Sequence, residues 1–137
     1  MLYMNLRRME NPMKSSYRLP YRSKFEIKLA ADLGKKNINF EYEKATFQFA
    51  PKIRSYTPDF YLPEFKIYIE TKGRLTTNDR VKHLLIKDQW PDLDIRFIFV
   101  RADNKISLKS KTSYADWCNR HGFIWAEGSF PVEWANG

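Results

Sequence analysis

Residues 95–100 read Ile-Arg-Phe-Ile-Phe-Val, an apolar run broken by a single arginine. Alternate side chains of a strand point to opposite faces of its sheet, so a strand apolar at successive positions needs cover on both sides. Such a strand belongs in the middle of a sheet with helices packed on each face. This one run therefore points to a layered α/β protein, and the rest of the chain is read around it.

Two helices precede the run and one follows it. Ser23 starts a segment in which Phe25, Leu29, Ala30 and Leu33 share a face, with Gly34 near its end. Residues 78–90 repeat that spacing, with Asn78 as cap, Val81, Leu84 and Leu85 inward, and Pro91 closing the helix. Thr112 or Ser113 caps a last helix that stops at Gly122. Ile38, Phe40 and Tyr42 alternate with polar residues as a strand does, and 46–49 is a shorter strand followed by a loop through Pro51 and Ser55. A hairpin then runs from Asp59 through Pro63-Glu64-Phe65 to Lys72. The expected fold is a central mixed β-sheet flanked by helices, with 1–22 as a basic N-terminal arm and 23–137 as one domain.

The chain's 137 residues suffice for one core but not two. A single cysteine, Cys118, rules out an internal disulfide and suggests a reducing compartment. His83 and His121 lie too far apart in sequence to suggest a structural zinc site. No apolar run approaches a membrane span, so the expectation is a cytoplasmic protein with no membrane partner and no small-molecule cofactor.

The net charge of +8 is unevenly placed. Six basic groups against Glu10 give residues 1–24 a charge of +5, while 71–90 and 101–111 carry +3 each and 25–70 sums to zero. Basic blocks of this kind attract polyanions, of which nucleic acid is the usual cytoplasmic example; the plain alternative is charge that serves solubility.

The densest chemistry lies between Thr57-Pro58-Asp59 and Glu70-Thr71-Lys72-Gly73. On a strand Glu70 and Lys72 project together, away from Ile67, Ile69 and Thr71. A two-residue turn at Glu64-Phe65 sets Asp59 opposite Glu70. Opposed like charges destabilise a strand pair unless a cation lies between them. Carboxylate oxygens suit magnesium or manganese. The competing description is a surface hairpin whose acids are paired to Lys72. Glu26 has two readings as well. Ser23-x-x-Glu26 has the form of a capping box, yet a carboxylate pinned in the first helical turn is also a well-held metal ligand.

Pro58-Asp59 followed by Glu70-Thr71-Lys72 resembles the PD-(D/E)xK signature of restriction-endonuclease-like nucleases. A longer string adds Ser23-Lys24-Phe25-Glu26, Phe40-Glu41-Tyr42-Glu43, Tyr56-Thr57-Pro58-Asp59-Phe60, Asp79-Arg80, Lys82-His83-Leu84-Leu85-Ile86, Leu93-Asp94-Ile95-Arg96, Thr112-Ser113-Tyr114 and Glu133-Trp134. In that order it resembles the phage endonuclease I family of four-way (Holliday) junction resolvases. The resemblance implies a restriction-endonuclease-like fold and hydrolysis of DNA phosphodiesters to 5′-phosphate and 3′-hydroxyl ends. It implies Glu26, Asp59 and Glu70 as acidic ligands, with the Thr71 carbonyl, of two magnesium or manganese ions per site. Lys72 would act on the attacked phosphate. It further implies an intertwined homodimer exchanging a strand whose counterpart is 46–49 and the loop to Arg54, though that bridge is slightly shorter here.

For DNA contact the residues singled out are Arg54, Arg74, Arg80, Lys82, His83 and Lys87, with Arg80, His83 and Lys87 spaced along one helix side; each also reads as part of a solvated face. His121 is read as a helix-end residue, and Trp117, Trp125 and Trp134 as core or interface aromatics. Two rivals to a junction resolvase stand beside it: a sequence-selective nuclease of homing or restriction type, and a non-catalytic DNA-binding module.

Overall fold

The structure is a computed structural model that describes residues 20–49 and 54–136, together with the backbone of 3–4. The strands are β1 (Tyr3–Met4), β2 (Phe40–Tyr42), β3 (Phe47–Phe49), β4 (Arg54–Tyr56), β5 (Phe60–Leu62), β6 (Ile67–Lys72), β7 (Asp94–Phe99) and β8 (Ile124–Glu127). The α-helices are α1 (Lys24–Lys35), α2 (Thr77–Gln89) and α3 (Tyr114–His121), followed by a 3₁₀ turn over Val132–Ala135. Most of the arm 1–22 lies outside the described residues. Its end does not: Tyr21 is buried and belongs to the core.

Six strands form one mixed sheet in the order β1-β2-β5-β6-β7-β8, antiparallel as far as β6 and parallel from β6 through β8. The apolar run is β7, paired on both sides, with Phe97, Ile98 and Phe99 fully buried. Val100 falls just past the strand and is exposed. Successive β7 residues serve opposite layers. Ile98 joins Ile67, Ile69 and Phe60 under α1, where Leu29, Ala30 and Leu33 face the sheet. Phe97 and Phe99 join Leu75, Trp117 and Phe123 beneath α2 and α3. The α/β architecture with helices on both sheet faces is as the sequence led one to expect.

Strands β3 and β4 stand apart as a two-stranded antiparallel ribbon, so Arg54 is in a strand and not a loop. The ribbon brings Phe49 and Tyr56 against Ile86 of α2 and Ile95 of β7. Residues 50–53 between its strands lie outside the described residues.

The hairpin carries a register that can be checked residue by residue. Phe60 pairs with Ile69, Tyr61 with Tyr68, and Leu62 with Ile67. This is the register of a turn centred between Glu64 and Phe65. The turn itself is longer than the two residues expected: it spans 63–66, with Lys66 in the left-handed region at φ 55° and its amide bonded to the Leu62 carbonyl. Lengthening a turn symmetrically leaves its centre, and therefore every cross-strand partner, unchanged.

Helix α2 departs from expectation in cap and in phase. Thr76 and not Asn78 is the N-cap, in a reciprocal capping box with Asp79. His83 and Ile86 are its buried residues, Leu84 and Leu85 are partly buried, and Val81 is half exposed. The ribbon on one side and Phe123 on the other cover the helix face that holds His83. Helix α3 is capped by Ser113 in a box with Asp116 and ends at Gly122, whose φ of 75° is open to glycine at little cost.

Candidate active site

Glu70 lies in the interior half of β6, and β6 runs between β5 and β7, so its backbone is fixed from both sides. The residue is 5% exposed. The charged face of β6 is therefore covered, by the ribbon and by α2. Tyr56 of β4 donates its hydroxyl to Glu70 Oε1 at 2.9 Å. Lys72, two residues along the same face, places Nζ 3.4 Å from Glu70 Oε2 and 3.0 Å from Asp79 Oδ1. Burial pushes the Glu70 carboxyl above the ordinary range, and Lys72 and the Tyr56 hydroxyl hold it back.

Asp59 sits in the bend before β5, one residue beyond the last strand pair, Phe60 with Ile69, and near enough to Glu70 for its charge to act on Asp59. Its Oδ2 accepts the Thr71 amide at 2.8 Å and the Thr71 hydroxyl at 2.7 Å; no hydrogen bond reaches Oδ1 among the described residues. Burial first, and then the charge of Glu70, push the Asp59 carboxyl up to about 8, against the pull of the two Thr71 bonds. Two buried carboxyl groups that resist being ionised together form a ready site for a cation.

Glu26 comes from the other layer. Ser23 accepts the Glu26 amide at 3.0 Å, which is half of a capping box. The other half is missing, because the Glu26 carboxylate turns to the Arg22 amide and the Tyr42 hydroxyl, both at 2.7 Å from Oε1. Glu26 is buried, and its charge acts on Asp59 more weakly than that of Glu70 does. Among the described residues, no three acidic, histidine or cysteine side chains close on a single point as metal ligands. Asp59 and Glu70 are the two buried acids of this region, and the charge of Glu70 is the largest one acting on Asp59. Glu26 stands at the margin.

The basic residues singled out from the sequence separate into distinct roles. His83 is corrected: it is fully buried, ringed by Tyr56, Phe97 and Phe123, with neither ring nitrogen hydrogen-bonded, and burial lowers it to about 3. A side chain so enclosed cannot meet a phosphate. Arg80 spends its guanidinium on the Leu75 and Ile106 carbonyls and the Thr77 hydroxyl, stapling two loops together. Lys87 lies over the Phe123 ring and reaches the Gly122 carbonyl. Lys82 lies over the Tyr56 ring, and its charge acts on Glu70. Arg54 is exposed on the ribbon, over Phe49. Arg74 follows β6 and lines a cleft of about 730 Å³ with Lys105, Asn78, Asn104 and Ser107; no carboxylate lines it among the described residues. His121 packs on Trp117, a core residue; Trp125 and Trp134 are partly buried against the two cores.

Sequence reasoning missed Tyr56, Tyr42, Asp79 and Lys105. Only Asp79 had a signal that could have found it, the Thr76-x-x-Asp79 spacing of a capping box.

Known proteins place the chain clearly. The sequence profile of the family described as phage endonuclease I matches residues 9–137. The chain is 43% identical over 116 residues to Endonuclease I of Escherichia phage T7, an alignment covering 83% of this chain and 77% of that protein. It is 43% identical over 114 residues to Endodeoxyribonuclease 1 of Enterobacteria phage T3, covering 82% and 74% respectively.

Proposed function

The chain belongs to the phage endonuclease I family, and from that premise we propose that it is a divalent-cation-dependent DNA endonuclease that resolves four-way junctions as a homodimer. The single observation that carries the nuclease reading is the pair of buried acids Asp59 and Glu70 at the open end of one hairpin, with the charge of Glu70 acting on Asp59 and Lys72 against Glu70.

Asp59, Glu70 and the Thr71 carbonyl would hold magnesium or manganese, with Glu26 on the outer side completing a two-ion site. Such ions, when bound, activate water and stabilise the attacking and leaving oxygens of an in-line displacement. The protein's own contribution is placement. The two Thr71 bonds fix Asp59 and leave Oδ1 open. Lys72, clamped by Glu70 and Asp79, keeps a positive charge where the scissile phosphate gains negative charge. The products would be a 5′-phosphate and a 3′-hydroxyl. The cleft beside Arg74 and Lys105 begins where β6 ends, and a strand leaving the site along it would meet cations and hydrogen-bonding side chains without a repelling carboxylate.

The restriction-endonuclease-like fold and the exchanged strand belong to the same reading. The mixed sheet with helices on both faces suits the former. The ribbon, which pairs with no strand of the main sheet, suits the latter. Among the described residues no helix is long and apolar enough to cross a membrane.

Incubation with magnesium and two substrates, a four-way junction and a linear duplex of unrelated sequence, tests the proposal. Paired nicks near the branch point are expected. Cuts at one defined sequence would replace junction selectivity with sequence selectivity, and absence of cleavage under any divalent metal would leave a DNA-binding module.

A further inference from the structure

Two acids of the candidate site are held in the same way from different parts of the fold. Tyr56 on β4 donates to Glu70 Oε1 at 2.9 Å, and Tyr42 on β2 donates to Glu26 Oε1 at 2.7 Å. Both tyrosines are buried, at 3% and 2% exposure. Each ring is fixed by its neighbours. Tyr56 has the His83 ring edge-on at 5.1 Å and Lys82 Nζ 5.5 Å from its centroid. Tyr42 stands edge-on to Tyr21 at 4.7 Å and to Phe60 at 5.4 Å. A hydroxyl on a ring that cannot turn holds its carboxylate in one rotamer.

We infer that Tyr56, and with it Tyr42, are positioning residues that set the affinity of the site for its divalent cation by orienting Glu70 and Glu26. This rests on the cation-dependent reading above. The chemistry is that of a group behind the ligand: a donor on a carboxylate fixes its rotamer and leaves the remaining acceptor sites to the ion, the second lone pair of Oε1 in Glu70 and the other oxygen, Oε2, in Glu26, whose Oε1 takes both the Arg22 amide and the Tyr42 hydroxyl. Glu70 shows the arrangement in full, with Tyr56 on Oε1 and Lys72 on Oε2, each leaving acceptor capacity free. Tyr56 has a second consequence. It belongs to the β3–β4 ribbon and not to the main sheet, so the seating of the ribbon against α2 is transmitted to a carboxylate of the site. His83 then has a clear part, since a ring with no hydrogen-bonded nitrogen serves as a wall that keeps Tyr56 upright.

Phenylalanine removes the hydroxyl and keeps the ring, so Tyr56→Phe isolates the contact. The full chain, its Tyr56→Phe and its Tyr42→Phe variants are titrated with manganese alone by calorimetry, without DNA, and their thermal unfolding is recorded in EDTA. The expected result is binding by the parent chain and about tenfold weaker binding by Tyr56→Phe, the usual cost of losing a partner behind a metal ligand. The manganese concentration for half-maximal cleavage should rise by a similar factor while the rate at saturating manganese stays within a few-fold of the parent. A purely structural role would lower the unfolding temperature and leave the manganese affinity of the folded protein unchanged, and that result overturns the inference. A parent chain that binds no manganese overturns the cation-dependent reading itself. Should Tyr56→Phe fail to fold, Tyr42→Phe carries the same decision: parental manganese affinity in that folded variant overturns the inference.

Discussion

Asp59 and Thr71 are joined twice across the hairpin, the amide and the hydroxyl of Thr71 both donating to the one oxygen Oδ2. The bonds fix the aspartate and concentrate its remaining capacity on Oδ1, facing a neighbour that also resists ionisation. The consequences of this relationship and of its surroundings can be measured.

Asp59→Asn should abolish cleavage and yet stabilise the cation-free protein at alkaline pH. The Asp59 carboxyl is raised to about 8 in the fold, well above its unfolded value, so the stability it contributes is full at low pH and is lost as pH rises through about 8. An amide can preserve acceptance from Thr71 and carries no charge. Denaturant unfolding in EDTA at pH 8–9 should therefore show a gain on the order of 2 kcal/mol. A loss at that pH would mean that Asp59 is not held against its charge.

Lys72→Ala should lower the cleavage rate by about 10²–10³-fold, the usual scale for a lost electrostatic contact to a reacting group. Junction binding in a gel-shift assay should persist. The ammonium of Lys72 also separates Glu70 from Asp79, so a modest drop in unfolding temperature is expected as both acids lose their partner. Loss of junction binding together with cleavage would assign Lys72 to binding.

His83 makes the fold acid-sensitive. Its folded value, about 3, lies below the unfolded one, so the unfolded chain binds more protons between about pH 3 and 6.5. Stability is unaffected above that window and falls as pH drops through it, by several kcal/mol at most. Replacing His83 with Gln, which does not titrate, should flatten the fall between pH 6.5 and 4 in urea titrations. An unchanged slope would exclude His83 as its source.

Arg74 and Arg80 should behave oppositely although they lie in one neighbourhood. Arg74→Ala is expected to weaken DNA binding equally for all sequences and to reduce the salt dependence of log affinity by about one unit. Arg80→Ala, which removes bonds to the Leu75 and Ile106 carbonyls, should cost about 1–2 kcal/mol of stability. Its salt slope should match that of the parent chain. A changed slope for Arg80→Ala would give it a phosphate contact.

The hairpin register was legible in advance because it depends on the turn's centre alone, and Pro63-Glu64-Phe65 between two alternating segments marks that centre. The flanked sheet followed from an apolar run too dense for a strand with one wet face. The cap Ser23, and Ser113 as one of two candidates beside Thr112, were readable for a related reason, since a cap and the amide it satisfies lie three residues apart. The phase of α2 was harder. Val81, Leu84 and Leu85 make a convincing stripe, but the real inward face also takes in His83, because the surfaces that cover it, Tyr56 and Phe123, come from far along the chain.

What the sequence by itself determined is what neighbouring residues decide between themselves: strand alternation, the approximate helix starts, the hairpin register that ends beside Asp59, and which residue types are able to hold a cation. Tertiary structure alone decided which tyrosine meets which acid, that Glu26 turns to Tyr42 and not to its own cap, and that His83 is sealed from solvent. The tyrosine contacts join residues 14 and 16 positions apart, and the rings that seal His83, Tyr56 and Phe123, come from other elements altogether. No local propensity encodes such contacts, since they exist only once packing has brought the layers together.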